Sequence, residues 1–117
     1  MDEKMLQILR EAGVDVDSVC ERFMGNMSLL HKFLLKFPDD RNYTELIEGL
    51  NAGDTDKAFH AAHALRGVCG NMSFVSLHCV VAEITELLRV GDLEAARQKL
   101  PEIKTEYTQI VAMINRL

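Results

Sequence analysis

The sequence predicts an all-α protein, specifically an antiparallel up-down four-helix bundle with one or two short helices at its N-terminal end. Apolar residues recur three and four positions apart through most of the chain, which is the spacing of one helix face. No segment alternates apolar and polar residues for more than a few positions, and the chain has only two prolines. With 117 residues we expect a single domain over 1–117, with cap helices in 1–25 and the bundle in 26–117.

The first half of the chain divides at glycine and proline. Residues 3–12 carry a helical apolar pattern, and a second short helix follows as far as Gly25. Asn26 is expected to cap the next helix, whose pattern Pro38 interrupts. We therefore expect either one long kinked helix over 26–52 or two helices that meet near the proline.

The second half is divided at Gly53 and at Gly91, each of which is followed by an aspartate. Glycine favours a helix end and aspartate a helix start, so each pair indicates that one helix stops and the next begins. A helix is expected over about 55–70, and the last segment keeps its apolar spacing across Pro101. That continuity predicts a kinked or locally broken helix there, not a loop. The expected N-cap residues are Asp15 or Asp17, Asn26, Asp54, Ser73 and Asp92.

Composition narrows the classes of function. The formal net charge is -5 and the basic residues are not clustered, which disfavours a nucleic-acid partner. No apolar run approaches the roughly 18 residues that span a membrane, and the first residues do not resemble a signal peptide. Cys20, Cys69 and Cys79 have no paired spacing, so we interpret them as reduced core residues of a cytoplasmic protein.

The helix over 55–70 has two unlike faces. His63, Arg66, Gly67 and Gly70 follow the i, i+3, i+4, i+7 spacing of one face. Glycine inside a helix lowers helix stability by about 0.8–1 kcal/mol relative to alanine, so we expect these two glycines to have a function that offsets this loss. The simplest gain is room beside an exposed imidazole for another molecule to approach. The opposite face is expected to be a buried seam of Ala58, Ala62, Leu65, Cys69 and Met72.

The segment His63-Ala64-Leu65-Arg66-Gly67 resembles the His-x-Leu-Lys-Gly signature of the histidine-containing phosphotransfer (HPt) domain family. The resemblance covers essentially the whole chain. It implies that His63 accepts a phosphoryl group and that Arg66, in place of the usual lysine, stabilises the phosphoryl charge. It also implies that Gly67 gives a receiver domain room to dock.

The resemblance also suggests supporting residues. Ser73 lies ten positions after His63, where the family usually has glycine. Thr85 occupies a place where members often have Gln or Glu bonded to the imidazole, so Thr85 or the nearby Glu83 is a candidate to orient the ring. Phe59 fits a partner contact and core packing equally well. The expected docking residues besides Gly67 are His60, Gly70, Phe59 and Ser73.

The chemistry of a histidine suits this assignment. Imidazole has an unperturbed pKa of about 6.5, so its neutral form is available as a nucleophile near neutral pH. No Asp/Glu cluster lies beside His63 in the sequence, and there is no Gly-rich nucleotide loop. We therefore expect no cofactor of its own, with Mg²⁺ supplied by the partner. The resemblance implies that the partners are receiver domains of response regulators or of hybrid sensor histidine kinases. The protein itself is expected to be a monomeric phosphorelay intermediate and not an enzyme.

Three other interpretations remain. The chain could be an HPt-like helical adaptor or inhibitor that binds receiver domains without being phosphorylated. His63 could be an ordinary surface histidine. Asp56, His60 and His63 share a helix face and could bind a metal, although metal sites in bundles usually draw ligands from two or more helices.

Overall fold

The fold is built from α-helices, as the sequence predicts. The computed structural model describes residues 2–117, and among them there is no strand, only an isolated antiparallel bridge between Val14 and Phe74. None of the described helices is both long and apolar enough to cross a membrane. The helices are α1 (Asp2–Glu11), α2 (Val16–Arg22), α3 (Met27–Lys36), α4 (Asn42–Ala52), α5 (Thr55–Asn71), α6 (Val75–Arg89), α7 (Leu93–Gln98) and α8 (Leu100–Asn115).

Four of the predicted helix caps are confirmed. The side chains of Asp15, Asn26, Asp54 and Asp92 each accept a hydrogen bond from the backbone N–H three residues later, at 3.0–3.1 Å. Each bond satisfies one of the N–H groups that a helix start leaves without an internal partner. The starts of α2, α3, α5 and α7 are therefore set by local sequence.

The predicted cap at Ser73 is wrong. Phe74 is the residue that precedes α6, and Ser73 has a φ of +57°, in the left-handed region. Its hydroxyl donates to the Ser18 hydroxyl at 3.0 Å, so it is not available to the first turn of α6. Ser73 thus links the corner between α5 and α6 to α2.

Both prolines fall at helix boundaries. At Pro38 the second alternative holds, because α3 and α4 are separate helices joined by the 3-10 helix Phe37–Asp39. Near Pro101 the pattern is locally broken, as predicted: α7 ends at Gln98 and α8 begins at Leu100. Proline is tolerated in a first helical turn, where its missing N–H would have no partner.

One apolar core runs through the described chain, from Met5 in α1 to Ile114 in α8. Within it α4 packs on α5, α5 on α6, and α6 on both α7 and α8. The up-down order of four main helices stays a prediction.

The cysteines differ in burial. Cys69 is buried, and this burial raises the pKa of its thiol to about 12. Cys79 is exposed, so the prediction that every cysteine is a core residue is wrong. Cys79 lies two positions after the buried Leu77 and is turned towards solvent by the helix.

A close contact sets the distance between α4 and α5. A Cβ added at Gly49 would lie 2.7 Å from the backbone nitrogen of Ala58 and 2.9 Å from its Cα. Backbone atoms of a packed helix cannot move aside as the end of a flexible side chain can. Glycine at this position therefore lets α4 approach the first turns of α5.

We predict that Gly49→Ala destabilises the protein although it places a better helix former in α4. The propensity gain is about 1 kcal/mol, whereas overpacking typically costs about 1–3 kcal/mol, and here the clash is with backbone. The expected net loss is about 1–2 kcal/mol in the free energy of unfolding, measured by urea denaturation followed by circular dichroism.

The matched control is Gly67→Ala in α5, where an added Cβ meets no atom within 4 Å. This variant should gain stability, by up to about 1 kcal/mol. Equal effects of the two substitutions would contradict the close contact between α4 and α5.

Candidate functional site

The buried seam of α5 fixes where His63 points. Ala58, Ala62, Leu65 and Cys69 are fully buried and Met72 is 5% exposed, so the predicted seam is confirmed. His63 lies on the opposite side of the helix and is exposed. Because the seam faces the core, the His63 imidazole on the opposite side of α5 points towards solvent.

The two glycines of the exposed face differ. A Cβ added at Gly67 would meet nothing within 4 Å, so the surface one turn after His63 is open. A Cβ added at Gly70 would lie 3.6 Å from the ring of His78, which is ordinary van der Waals contact. Only Gly67 has the free space that the sequence analysis expected of both.

A carboxylate joins two arginines at this face. Arg66 in α5 donates from Nη1 to Oε1 of Glu86 in α6 at 3.1 Å. Arg89 donates from Nε to the other oxygen, Oε2, at 3.2 Å. All three side chains are more than a third exposed, so both ion pairs are accessible to water and to a partner.

Aromatic rings continue this network to His63. The guanidinium carbon of Arg89 lies 5.1 Å from the ring centroid of Phe59. The Phe59 ring is nearly parallel to that of His63, at 16° with centroids 6.1 Å apart, and the exposed His60 ring lies edge-on at 5.7 Å. Phe59 is partly buried against the core, which supports core packing, and its role as a partner contact stays a prediction. It packs inwards and also borders the imidazole.

Neither ring-orienting candidate hydrogen-bonds His63, and no other side chain of residues 3–117 hydrogen-bonds that ring. Glu83 accepts from Lys99 Nζ at 2.6 Å, a hydrogen bond that raises the pKa of the lysine. Thr85 is fully buried and its hydroxyl donates to the Val81 carbonyl at 2.7 Å. That Glu83 or Thr85 orients the His63 ring stays a prediction. It requires Glu83 to release Lys99, or Thr85 to release the Val81 carbonyl, before either can bond the imidazole.

Ser73 offers a docking partner little surface, because only 7% of the residue is exposed. Its carbonyl also accepts a hydrogen bond from the backbone N–H of Asp15 at 3.1 Å. The left-handed backbone gives a physical reason for the glycine that the family resemblance leads one to expect here, since glycine adopts that conformation without strain.

The structure does not favour the interpretation of His63 as a metal ligand. Across the described part of the chain, no three His, Cys, Asp or Glu side chains are grouped so that they could hold a metal ion.

Sequence analysis missed two residues of this face, Glu86 and Arg89. Their i, i+3 spacing in α6 was visible and is compatible with a local ion pair. What the spacing does not contain is the register between α5 and α6, which brings Glu86 to Arg66 and Arg89 to Phe59. That register depends on packing between the helices.

The chain matches a known protein family. A family model described as Hpt domain matches residues 28–113, which is well over half of the chain and includes His63 and both flanking helices. Comparison with curated proteins and with solved structures gave no significant match.

We predict that Ser73→Gly is more stable than Ser73→Ala by about 1 kcal/mol. Both variants lose the hydroxyl bond to Ser18, but alanine retains the left-handed strain and glycine does not. Thermal and urea unfolding of the two variants measure the difference directly. A more stable alanine variant would contradict the assigned backbone conformation.

Proposed function

The chain belongs to the Hpt domain family, whose members act in phosphotransfer within two-component signalling, and we propose that His63 is its phosphoryl acceptor. The observation that carries the proposal is the exposed His63 on α5 with open space at Gly67 beside it. A nucleophile that serves large partner proteins needs this exposure, since the partner brings the phosphoryl group to it.

In the proposed reaction, a neutral imidazole nitrogen of His63 attacks the phosphorus of an aspartyl phosphate on a receiver domain. The N–P bond forms while the O–P bond breaks, and the electron pair of that bond remains on the aspartate carboxylate. The proton on the second ring nitrogen stays in place. The reverse reaction delivers the phosphoryl group to the aspartate of another receiver domain.

Arg66 is the proposed source of positive charge for the phosphoryl oxygens. It lies one turn after His63 on the same helix, where i and i+3 side chains are neighbours. Guanidinium groups bind phosphate oxygens in a bidentate manner and remain charged at all physiological pH values. Arg66 would contribute electrostatic stabilisation as the phosphoryl group is transferred.

Phe59, His60 and Gly67 form the proposed centre of the docking surface around His63. Phe59 supplies a partly buried aromatic edge, His60 an exposed ring, and Gly67 the clearance for the partner backbone. Gly70 and Ser73 would lie at the margin, since Gly70 already packs near His78 and Ser73 is mostly buried. The receiver domain would supply the Mg²⁺ that neutralises its own acidic site.

We also propose the molecular role, oligomeric state, location and domain organisation of the protein. The protein would act as a phosphocarrier with no ATP site of its own, as a monomer in the cytoplasm, and as one domain whose main helices run up and down. Support for the single domain comes from the shared core of α1 to α8.

A second candidate function is a binding module that docks receiver domains without accepting phosphate. One observation favours it: among residues 3–117, no side chain hydrogen-bonds the His63 ring. Binding assays cannot separate the two functions, whereas a transfer assay can.

We predict that a receiver domain charged with acetyl phosphate labels the wild-type protein with acid-labile, base-stable phosphate. His63→Gln should lose this label entirely, while His31→Gln, the same substitution in α3 outside the proposed docking surface, should keep it. Circular dichroism checks that both variants fold. Label on His63→Gln would exclude His63, and an unlabelled wild type that still binds receivers would favour the binding module.

We further predict that Gly67→Gln slows labelling by the phosphorylated receiver about tenfold or more, because the side chain occupies the space the partner needs. Labelling by phosphoramidate, a small donor, should be unchanged. Equal slowing with both donors would show that the substitution acts on the imidazole and not on docking.

A further inference from the structure

The two arginines next to His63 share one counter-ion. Glu86 binds Arg66 through one oxygen and Arg89 through the other, at 3.1 and 3.2 Å. Among the ion pairs of the described residues, this is the one carboxylate that bridges two cations. Arg66 is one turn from His63 on the same helix, and Arg89 and His63 each lie next to the ring of Phe59. Glu86 therefore partly neutralises the positive charge near the imidazole before any phosphoryl group binds.

We propose that Glu86 competes with the phosphoryl group for these arginines and thereby sets the equilibrium of phosphoryl transfer to His63. The inference rests on the proposed function and names a residue that regulates it. Glu86 touches no reacting atom, so it is a positioning residue that acts through Arg66 and Arg89.

The charges give the direction of the effect. Two guanidinium groups and one carboxylate leave a single net positive charge beside the unphosphorylated imidazole. A phosphoryl group brings up to about two negative charges, which attract the arginines and repel Glu86. Removing the carboxylate charge thus favours the phosphorylated state over the unphosphorylated one.

The strength of the existing pairs permits this exchange. Ion pairs between water-exposed side chains are individually weak, and both pairs of Glu86 are of this kind. A guanidinium can turn from the carboxylate to a phosphoryl oxygen without exposing a buried charge. A buried pair at the same place would resist such a switch.

The chain offers a matched control in Glu48, on α4. Its side chain is 56% exposed, as is that of Glu86, and it pairs with Lys57 at 2.9 Å. Lys57 lies six residues before His63, which is roughly 9 Å along the helix axis. Glu48→Gln removes the same formal charge as Glu86→Gln but leaves Arg66 and Arg89 unaltered.

The test measures the equilibrium between a phosphorylated receiver domain and wild-type, Glu86→Gln and Glu48→Gln proteins. At low salt, Glu86→Gln should shift the equilibrium towards phosphohistidine by about threefold to tenfold, and Glu48→Gln should not. The shift should shrink in 1 M salt, where the screening length falls to about 3 Å. A purely structural role of Glu86 would not produce this salt dependence.

A double-variant cycle tests the route of the effect. When Arg66 and Arg89 are both changed to Gln, the shift caused by Glu86→Gln should fall by at least half. An undiminished shift would overturn the proposed competition for the arginines. So would an unshifted Glu86→Gln protein, or a control that shifts as much.

Failure of the underlying function looks different. In that case the wild-type protein takes up no label at all, and the inference falls together with it. If the wild type is labelled and the variants reach the same equilibrium, only the inference fails.

Discussion

The arrangement depends on how α5 is buried. Its seam consists mainly of small residues, with Ala58 and Ala62 fully buried, so neighbouring helices approach closely. Gly49 extends this on the α4 side, where even one methyl group would meet the backbone of α5. Because one side of the helix is buried in this way, the side that carries His63 faces solvent. Exposure of the proposed nucleophile is thus a consequence of packing on the far side of the same helix.

The glycines show how one residue type meets two opposite requirements. Gly49 is needed because the space is already full, and Gly67 is accompanied by space that is empty. In the first case glycine adds to stability, whereas in the second it lowers helix stability relative to alanine. A stability cost at an exposed position next to the candidate acceptor is the pattern expected where clearance for a partner matters more than folding.

Local features of the fold were predictable and long-range ones were not. The caps at Asp15, Asn26, Asp54 and Asp92 depend on contacts three residues away, which sequence contains directly. Ser73 looked like another cap, but its conformation goes with a contact to Ser18, 55 positions away. The links of Arg66 and Arg89 through Glu86 likewise need the register of α5 against α6. A family resemblance pointed to His63 and Arg66, but it named no counter-ion for the arginine.

The most direct test of the central claim is an NMR spectrum of the ¹⁵N-labelled protein after phosphoryl transfer from a receiver domain. We predict coupling between phosphorus and one imidazole nitrogen of His63, with the other three histidine rings free of phosphorus. Phosphorus coupled to another histidine, or a His63 ring that remains unmodified while the protein carries phosphate, would contradict it. The rings to compare are those of His31, His60 and His78.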